Sequence, residues 1–523
     1  MVRRAWVVAL VGSLSPTPRS HPAPPPVALV VLVTVDQMRA DYLARFAAQW
    51  TGGFARIYRG GTVFDHGEQD HAATETAPGH STLLSGRYPA HTGIVLNSRG
   101  VQDTAAPVLS APRETGASPR RFRGTTLYDW MVAGDPAARV LSVSRKDRGA
   151  IFPVGRARGA VYWFHDGAFT TSRYYADSLP AWVQTFNRRG GAARLAGASW
   201  NLLLPVSAYA EPDSEPFENG GSDYVFPHRI ATPAASPWMD SLTLAFALDG
   251  ARALELGRRT RPDLLAVSLS ATDAIGHAFG PDSREIHDQL LHVDRWLGQF
   301  LDSLARVIGS DRVVVVLTGD HGVTPLPEYS VMVRHQPGGR VSLGPIVQGA
   351  SAALRRRFQR DFSLDADGGL LSADTAALRA SGIDVDSLAQ ALASAAAPLP
   401  GIARVYTPRT LAAAPASDWN AELWRHLLPP DYGWLFCAAT LEGYVWSAGQ
   451  LGAEHGAGNL ADVQVPIAFF GPGIPAQLVA RPVSTVDIAP TLAALIGVRP
   501  TERLDGRVLH EVLSHRNQER ENP

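Results

Sequence analysis

The run Val27 to Val35 (VALVVLVTV) carries no charge and is almost wholly β-branched and aliphatic. It lacks the alternation of a strand with one wet face, so it suits a parallel strand covered on both sides. Similar runs recur at Leu264 to Leu269, Val313 to Leu317 and Val465 to Phe470. Helical patterns stand between or after them, at Ile286 to Ile308 and Val486 to Ile496. Strands alternating with helices predict a doubly wound α/β core. In such cores ligands bind beyond the carboxyl ends of the strands.

Two long stretches break the alternation, roughly 98–236 and 326–449, and are expected to form insertions that build a cap. Residues 27–523 then make one catalytic unit. The preceding residues 1–26 read as an export segment. Arg3 and Arg4 precede an apolar stretch, Ala5 to Leu14, and a Pro-rich spacer, Ser15 to Pro26. The apolar stretch is shorter than the roughly 20 residues a spanning helix needs. A periplasmic or secreted protein with no stable membrane span after cleavage is expected.

Composition narrows the chemistry. The formal net charge of −1 offers no general attraction for nucleic acid. The single cysteine, Cys437, excludes an intrachain disulfide and any zinc site built from several thiolates. A metal site in this chain must therefore use His and carboxylate.

Those residues stand where the strands end. Asp36 follows the first run, and Asp273 follows the second, with His277 four residues on. Asp320 and His321 follow the third, and a glycine-rich loop, GAEHGAGN, carries His455. Alone, each reads as a helix cap or a surface residue. Together they make six N/O ligands, enough for two divalent ions with three protein ligands each. Three ligands leave a coordination position open, as catalytic zinc sites do. Two ions about 4 Å apart clamp a phosphoryl group between attacking and leaving oxygens.

The segment TETAPGHSTLLSGR (Thr74 to Arg87) supplies hydroxyls. With Pro78 at the first helical position, Thr76 falls just before a helix amino terminus, where an oxyanion is favoured. Thr74, Ser81 and Thr82 compete with it, and His80 is expected to bond structurally. Asn97 offers a neutral donor to a phosphate oxygen. In SRKDRGAIF the chain's one lysine, Lys146, sits two residues before Arg148. On an extended segment the two share a face and can meet one phosphate dianion.

At this point the chain resembles the alkaline phosphatase superfamily, most closely its PafA-type members, which use a threonine nucleophile and a Lys-x-Arg pair. The matching stretches are VTVDQMRADYL, TETAPGHSTLLSGRYPAHTGI, LNS, SRKDRGAIF, SATDAIGHAFGPDS, TGDHG and EHGAGN. The resemblance implies a mixed sheet flanked by helices with a cap, and two Zn2+ ions. Asp273, His277 and His455 would hold one zinc. Asp36, Asp320 and His321 would hold the other, with Thr76 beside it and phosphorylated during turnover. Asn97, Lys146 and Arg148 would bind phosphoryl oxygens. Family members often carry an aromatic-Asp-Thr-His/Arg-Val-Pro stretch before the last core strand. Here LADVQVPIAFF puts Gln464 at the variable position, which leaves His455 as the nearby sixth ligand.

The implied activity is hydrolysis of small-molecule phosphate monoesters. A phosphodiesterase or nucleotide pyrophosphatase of the same superfamily is the alternative, set against by the Lys146/Arg148 pair. A sulfatase needs a Cys or Ser in a Cys/Ser-x-Pro-x-Arg context; Cys437 lies in LFCAATL, and Ser15 matches only in its spacing to a proline. Monomer and homodimer both stay open.

Overall fold

The computed structural model describes residues 27–447 and 452–513. The export segment expected over residues 1–26 lies outside them. Among the described residues, no helix is long and apolar enough to cross a membrane.

A nine-stranded mixed sheet organises the chain. From one edge its strands are Gln477–Ser484, Thr62–Glu68, Gln464–Phe470, Val313–Thr318, Leu29–Val35, Asp263–Leu269, Val140–Ser144, Ala160–His165 and Ala168–Thr170. Leu29–Val35 lies parallel to both neighbours and is buried at every residue, as its unbroken apolar run requires. Alternate side chains feed two cores. Val31, Val33 and Val35 face the helices Trp238–Ala253 and Arg284–Ile308. Val30 and Leu32 face the helices Leu127–Gly134 and Ile488–Ile496.

The helix Arg284–Ile308 is fixed at both ends and at its middle. The Ser283 hydroxyl accepts from the Ile286 N–H at 3.2 Å, and the helix ends before Gly309 at φ 97°. Midway, the buried Asp294 carboxylate accepts N–H groups of Thr51, Gly52, Phe54 and Ala55. It thereby caps the neighbouring helix Gly53–Gly60, whose first amide groups have no partner within their own helix.

One expectation needs correction. The stretch 98–236 is not wholly an insertion, because Val140–Ser144, Ala160–His165 and Ala168–Thr170 extend the central sheet. These strands are only three to six residues long, and Gly, Arg and Pro between them hide the alternation. Their place in the sheet matters, since Val140–Ser144 is parallel to Asp263–Leu269 and delivers Lys146 to the same edge.

Within 326–449 a second sheet forms, antiparallel, in the order Leu364–Asp367, Leu370–Ala373, Trp434–Thr440, Ile402–Tyr406. The helix Val385–Ala396 packs Val385, Ala389, Ala393 and Ala396 against it. Its Leu364–Ala373 hairpin faces the carboxyl edge of the large sheet across a cavity of about 910 Å³.

Candidate active site

The ten residues singled out above converge at that edge. Asp36 directly follows Leu29–Val35, and Asp320 lies two residues past Thr318. Asp273 and His277 sit one turn apart in the helix Ala271–Phe279. His455 arrives by a different route. Gln464–Phe470 runs antiparallel to Val313–Thr318, so the loop before it meets the carboxyl ends of the parallel strands. Buried Asp462 ties that loop down, accepting from the Ala457 N–H at 3.1 Å and the Thr324 hydroxyl at 2.7 Å.

Two ligand groups result. In the first, Asp273 Oδ1 lies 3.4 Å from His277 Nε2 and 3.6 Å from His455 Nε2, and the two imidazole nitrogens are 3.2 Å apart. In the second, His321 Nε2 lies 3.5 Å from Asp36 Oδ1 and 3.7 Å from Asp320 Oδ2. The His321 and His455 rings stack with centroids 3.8 Å apart, so the groups abut. Asp273, His321 and His455 also bring ligand atoms within 4.8 Å of one another.

The donor chemistry fits metal ions. Each histidine has Nδ1 on a backbone carbonyl: His277 on Ala453 at 2.6 Å, His321 on Gly322 at 2.9 Å and His455 on Thr74 at 2.7 Å. That bond keeps a proton on Nδ1 and aims Nε2 at the site, the orientation of metal-ligating imidazoles. Asp36 Oδ1 and His321 Nε2 are buried without a hydrogen-bond partner, a costly state that a cation relieves, while Asp36 Oδ2 and Asp320 Oδ2 have ion-pair contacts, to Lys146 Nζ at 2.8 Å and His80 Nδ1 at 3.1 Å. Burial raises the Asp36 carboxyl above its ordinary range, and the charges of Asp273 and Asp320 raise it further. Burial pulls the His455 imidazole down, but Asp273 outweighs it and holds the group up at about 9.

Thr76 opens the helix Thr76–Leu83, with Glu75 in extended conformation before it. Pro78 is therefore the third helical residue rather than the first. The proline is tolerated there because the first-turn amides need no intrahelical partner. Gly79 is required by contact: a Cβ there would lie 2.0 Å from the Asp320 carbonyl oxygen. The close approach seats the Thr76 helix on the end of Val313–Thr318. His80 bonds the Thr76 carbonyl at 2.9 Å and the Ser268 hydroxyl at 3.0 Å. Among the competing hydroxyls, Ser81 and Thr82 donate to Pro78 and Gly79 carbonyls in their own helix, and Thr74 accepts from the Gly456 N–H.

Lys146 Nζ donates to Thr76 Oγ1 at 3.0 Å and lies 2.8 Å from Asp36 Oδ2 and 2.7 Å from Asp273 Oδ2. It thus spans both ligand groups. The extended geometry expected for Lys146 and Arg148 is replaced by a turn. Lys146 has extended backbone and precedes the short helix Asp147–Ile151, with Arg148 in its first turn. Both side chains still line the cavity. Asn97 Oδ1 accepts the Ala77 N–H at 2.8 Å, which leaves the Asn97 amide hydrogens available to a ligand.

Further residues shape the site that strand-end reasoning missed. The Glu75 carboxylate accepts the Asn97 N–H at 2.7 Å; burial, with Asp367 nearby, pushes it up to about 7. Gln37, at φ 67°, links the two groups: its N–H donates to Asp320 Oδ1 and its amide to Asp273 Oδ1. Arg145 places Nη2 3.7 Å from Asp273 Oδ2 and lines the cavity. Each stands beside a residue already chosen, yet only the closed fold shows where its side chain goes.

The type I phosphodiesterase/nucleotide pyrophosphatase family model matches residues 30–341. Alkaline phosphatase PhoV of Synechococcus elongatus is 30% identical over 523 residues, covering 93% of this chain and 92% of its own. Alkaline phosphatase PhoK of a Sphingomonas species is 33% identical over 533 residues, covering 94% and 92%. The crystal structure of alkaline phosphatase PafA superposes with a TM-score of 0.87 at 27% identity, covering 94% of this chain and all of that one. The chain therefore belongs to the type I phosphodiesterase/nucleotide pyrophosphatase family of the alkaline phosphatase superfamily, within its PafA-type branch.

Proposed function

We propose that this protein is an exported, zinc-dependent alkaline phosphatase that hydrolyses phosphate monoesters through a phosphothreonine at Thr76. The observation that carries the reading is the Thr76 hydroxyl. It lies at a helix amino terminus and accepts from Lys146 Nζ, which also contacts Asp36 and Asp273, one carboxylate of each set of metal-type ligands.

Asp273, His277 and His455 would hold one ion, and Asp36, Asp320 and His321 the other. Zinc, when bound there, supplies Lewis acidity at the attacking and departing oxygens. The chain's own groups do the rest. Lys146 donates to Thr76 Oγ1 and so favours its ionised form. Thr76 Oγ1 attacks phosphorus, forming one O–P bond while the P–O bond to the alcohol breaks and the alcohol takes up a proton. Water then replaces Thr76 on phosphorus, which returns the hydroxyl and releases inorganic phosphate. Asn97, Lys146 and Arg148 hold the non-bridging oxygens, so positioning and fixed charge carry the catalysis. A monoester presents two negative charges to the two cations and a diester only one, which favours monoesters. The description of the family model supports a diesterase as the second reading.

Acid quenching during turnover, followed by mass mapping, tests the intermediate. Phosphate on the peptide that contains Thr76, absent from Thr76→Ala, is expected. A label on any other residue, or none under conditions of a product burst, contradicts the reading.

A further inference from the structure

Among the described residues, only one wall of the cavity carries cations. On the side of the large sheet stand Arg145, Lys146 and Arg148, with Glu75, Asp273 and Glu454 as the carboxylates among them. The opposite wall is built by the segment 364–369 of the second sheet, the helix Gly344–Phe358 and a two-stranded ladder of Gly339–Val341 with Tyr444–Trp446. Apolar Val341, Leu343, Val347 and Trp446 line it, with Asp365 and Asp367 as its charged groups. Among the described residues lining that wall, none is basic. Trp446 lies against Gly369, where a Cβ would come within 2.5 Å of the indole. Asp367 accepts from the Ser98 hydroxyl at 2.7 Å, and Asp365 is half-exposed with Arg99 3.8 Å away.

A phosphoryl group held at Thr76 by Lys146 and Arg148 leaves its alcohol to the rest of the cavity, which the acidic and apolar wall bounds. We propose that this wall selects the leaving group: esters of apolar or quaternary-ammonium alcohols are favoured, and esters whose alcohol carries further anionic groups, such as sulfonated alcohols or sugar bisphosphates, are disfavoured. This rests on the phosphatase reading above and adds to it the class of alcohol. An ammonium gains from the carboxylates and from the aromatic side chain, whereas an anion meets repulsion from Asp365 and Asp367.

The test uses zinc-loaded protein and two nearly isosteric esters, choline phosphate and 3,3-dimethylbutyl phosphate, which differ by a positive nitrogen in place of carbon. The ratio of their kcat/KM values is measured in the wild type and in Asp365→Asn/Asp367→Asn, so that intrinsic leaving-group reactivity cancels. The ratio is expected to fall about fivefold in the double variant. Asp365→Asn alone, at the more exposed position, is expected to shift it in the same direction by a smaller factor. With 3-sulfopropyl phosphate in place of choline phosphate the ratio should rise instead. Ratios unchanged within about twofold, or shifted the opposite way, overturn the proposal while leaving the phosphatase reading intact. Absence of turnover of the neutral ester by the wild type would remove that reading and this proposal with it.

Discussion

The two walls of the cavity obey different rules. On the large sheet's side Asp36, Thr76, Asp320 and His321 are at most 1% exposed and are delivered by buried strands and a close-packed helix. On the cap side Asp365 is half-exposed and its strand, Leu364–Asp367, contains no fully buried residue. Burial on one side fixes atoms to the accuracy that bond-making needs, since close-packed interiors leave side chains little freedom. The other side can vary without disturbing the sheet. On the proposed reading the reaction and the monoester preference belong to the first wall, and the choice of alcohol to the second.

The largest expected effect tests the first wall. Thr76→Ala should lower kcat/KM on an aryl phosphate by about 10⁴-fold or more. Its zinc content, read by elemental analysis, should stay near that of the wild type. Retained turnover would move the nucleophile elsewhere. Replacing the cations in Lys146→Ala/Arg148→Ala should cost monoesters about 10² to 10³-fold and the matched diesters about tenfold or less. Equal losses would remove these residues as the source of monoester preference.

A third effect comes from the shared boundary of the ligand groups. His455 is held up at about 9 by Asp273, so below that value an incoming ion must displace its proton. Zinc affinity of the metal-free protein should therefore rise about tenfold from pH 7 to pH 8. An affinity independent of pH would place that proton elsewhere. The smallest effect belongs to the cap wall: Trp446→Ala should alter kcat/KM on aryl esters by about three- to tenfold, mainly through KM, with alkyl esters less affected. A loss on the scale of Thr76→Ala would abolish the distinction between the walls.

The same contrast governs what was legible in the sequence. Asp36, Asp320 and His321 follow unbroken aliphatic runs, and a polar residue at such a point must emerge at a sheet edge. His455 was less readable, because its position depends on one antiparallel strand and on Asp462 fastening the loop. The geometry of Lys146 and Arg148 differs from an extended pair because the chain turns into helix at Asp147. The short strands Val140–Ser144 and Ala160–His165 escaped detection within a Gly- and Arg-rich stretch. Glu75, Gln37 and Asp367 had no local signature. Each reaches the site only through a contact with a segment distant in sequence or a turn at positive φ.

The most direct measurement is a pair of initial rates at pH 8, on an aryl phosphate monoester and its methyl diester, with zinc-loaded protein lacking residues 1–26. A kcat/KM for the monoester at least about 10²-fold above that for the diester is predicted from two cations meeting a dianion. A preference for the diester would keep the ligand groups and Thr76 but contradict the phosphatase assignment.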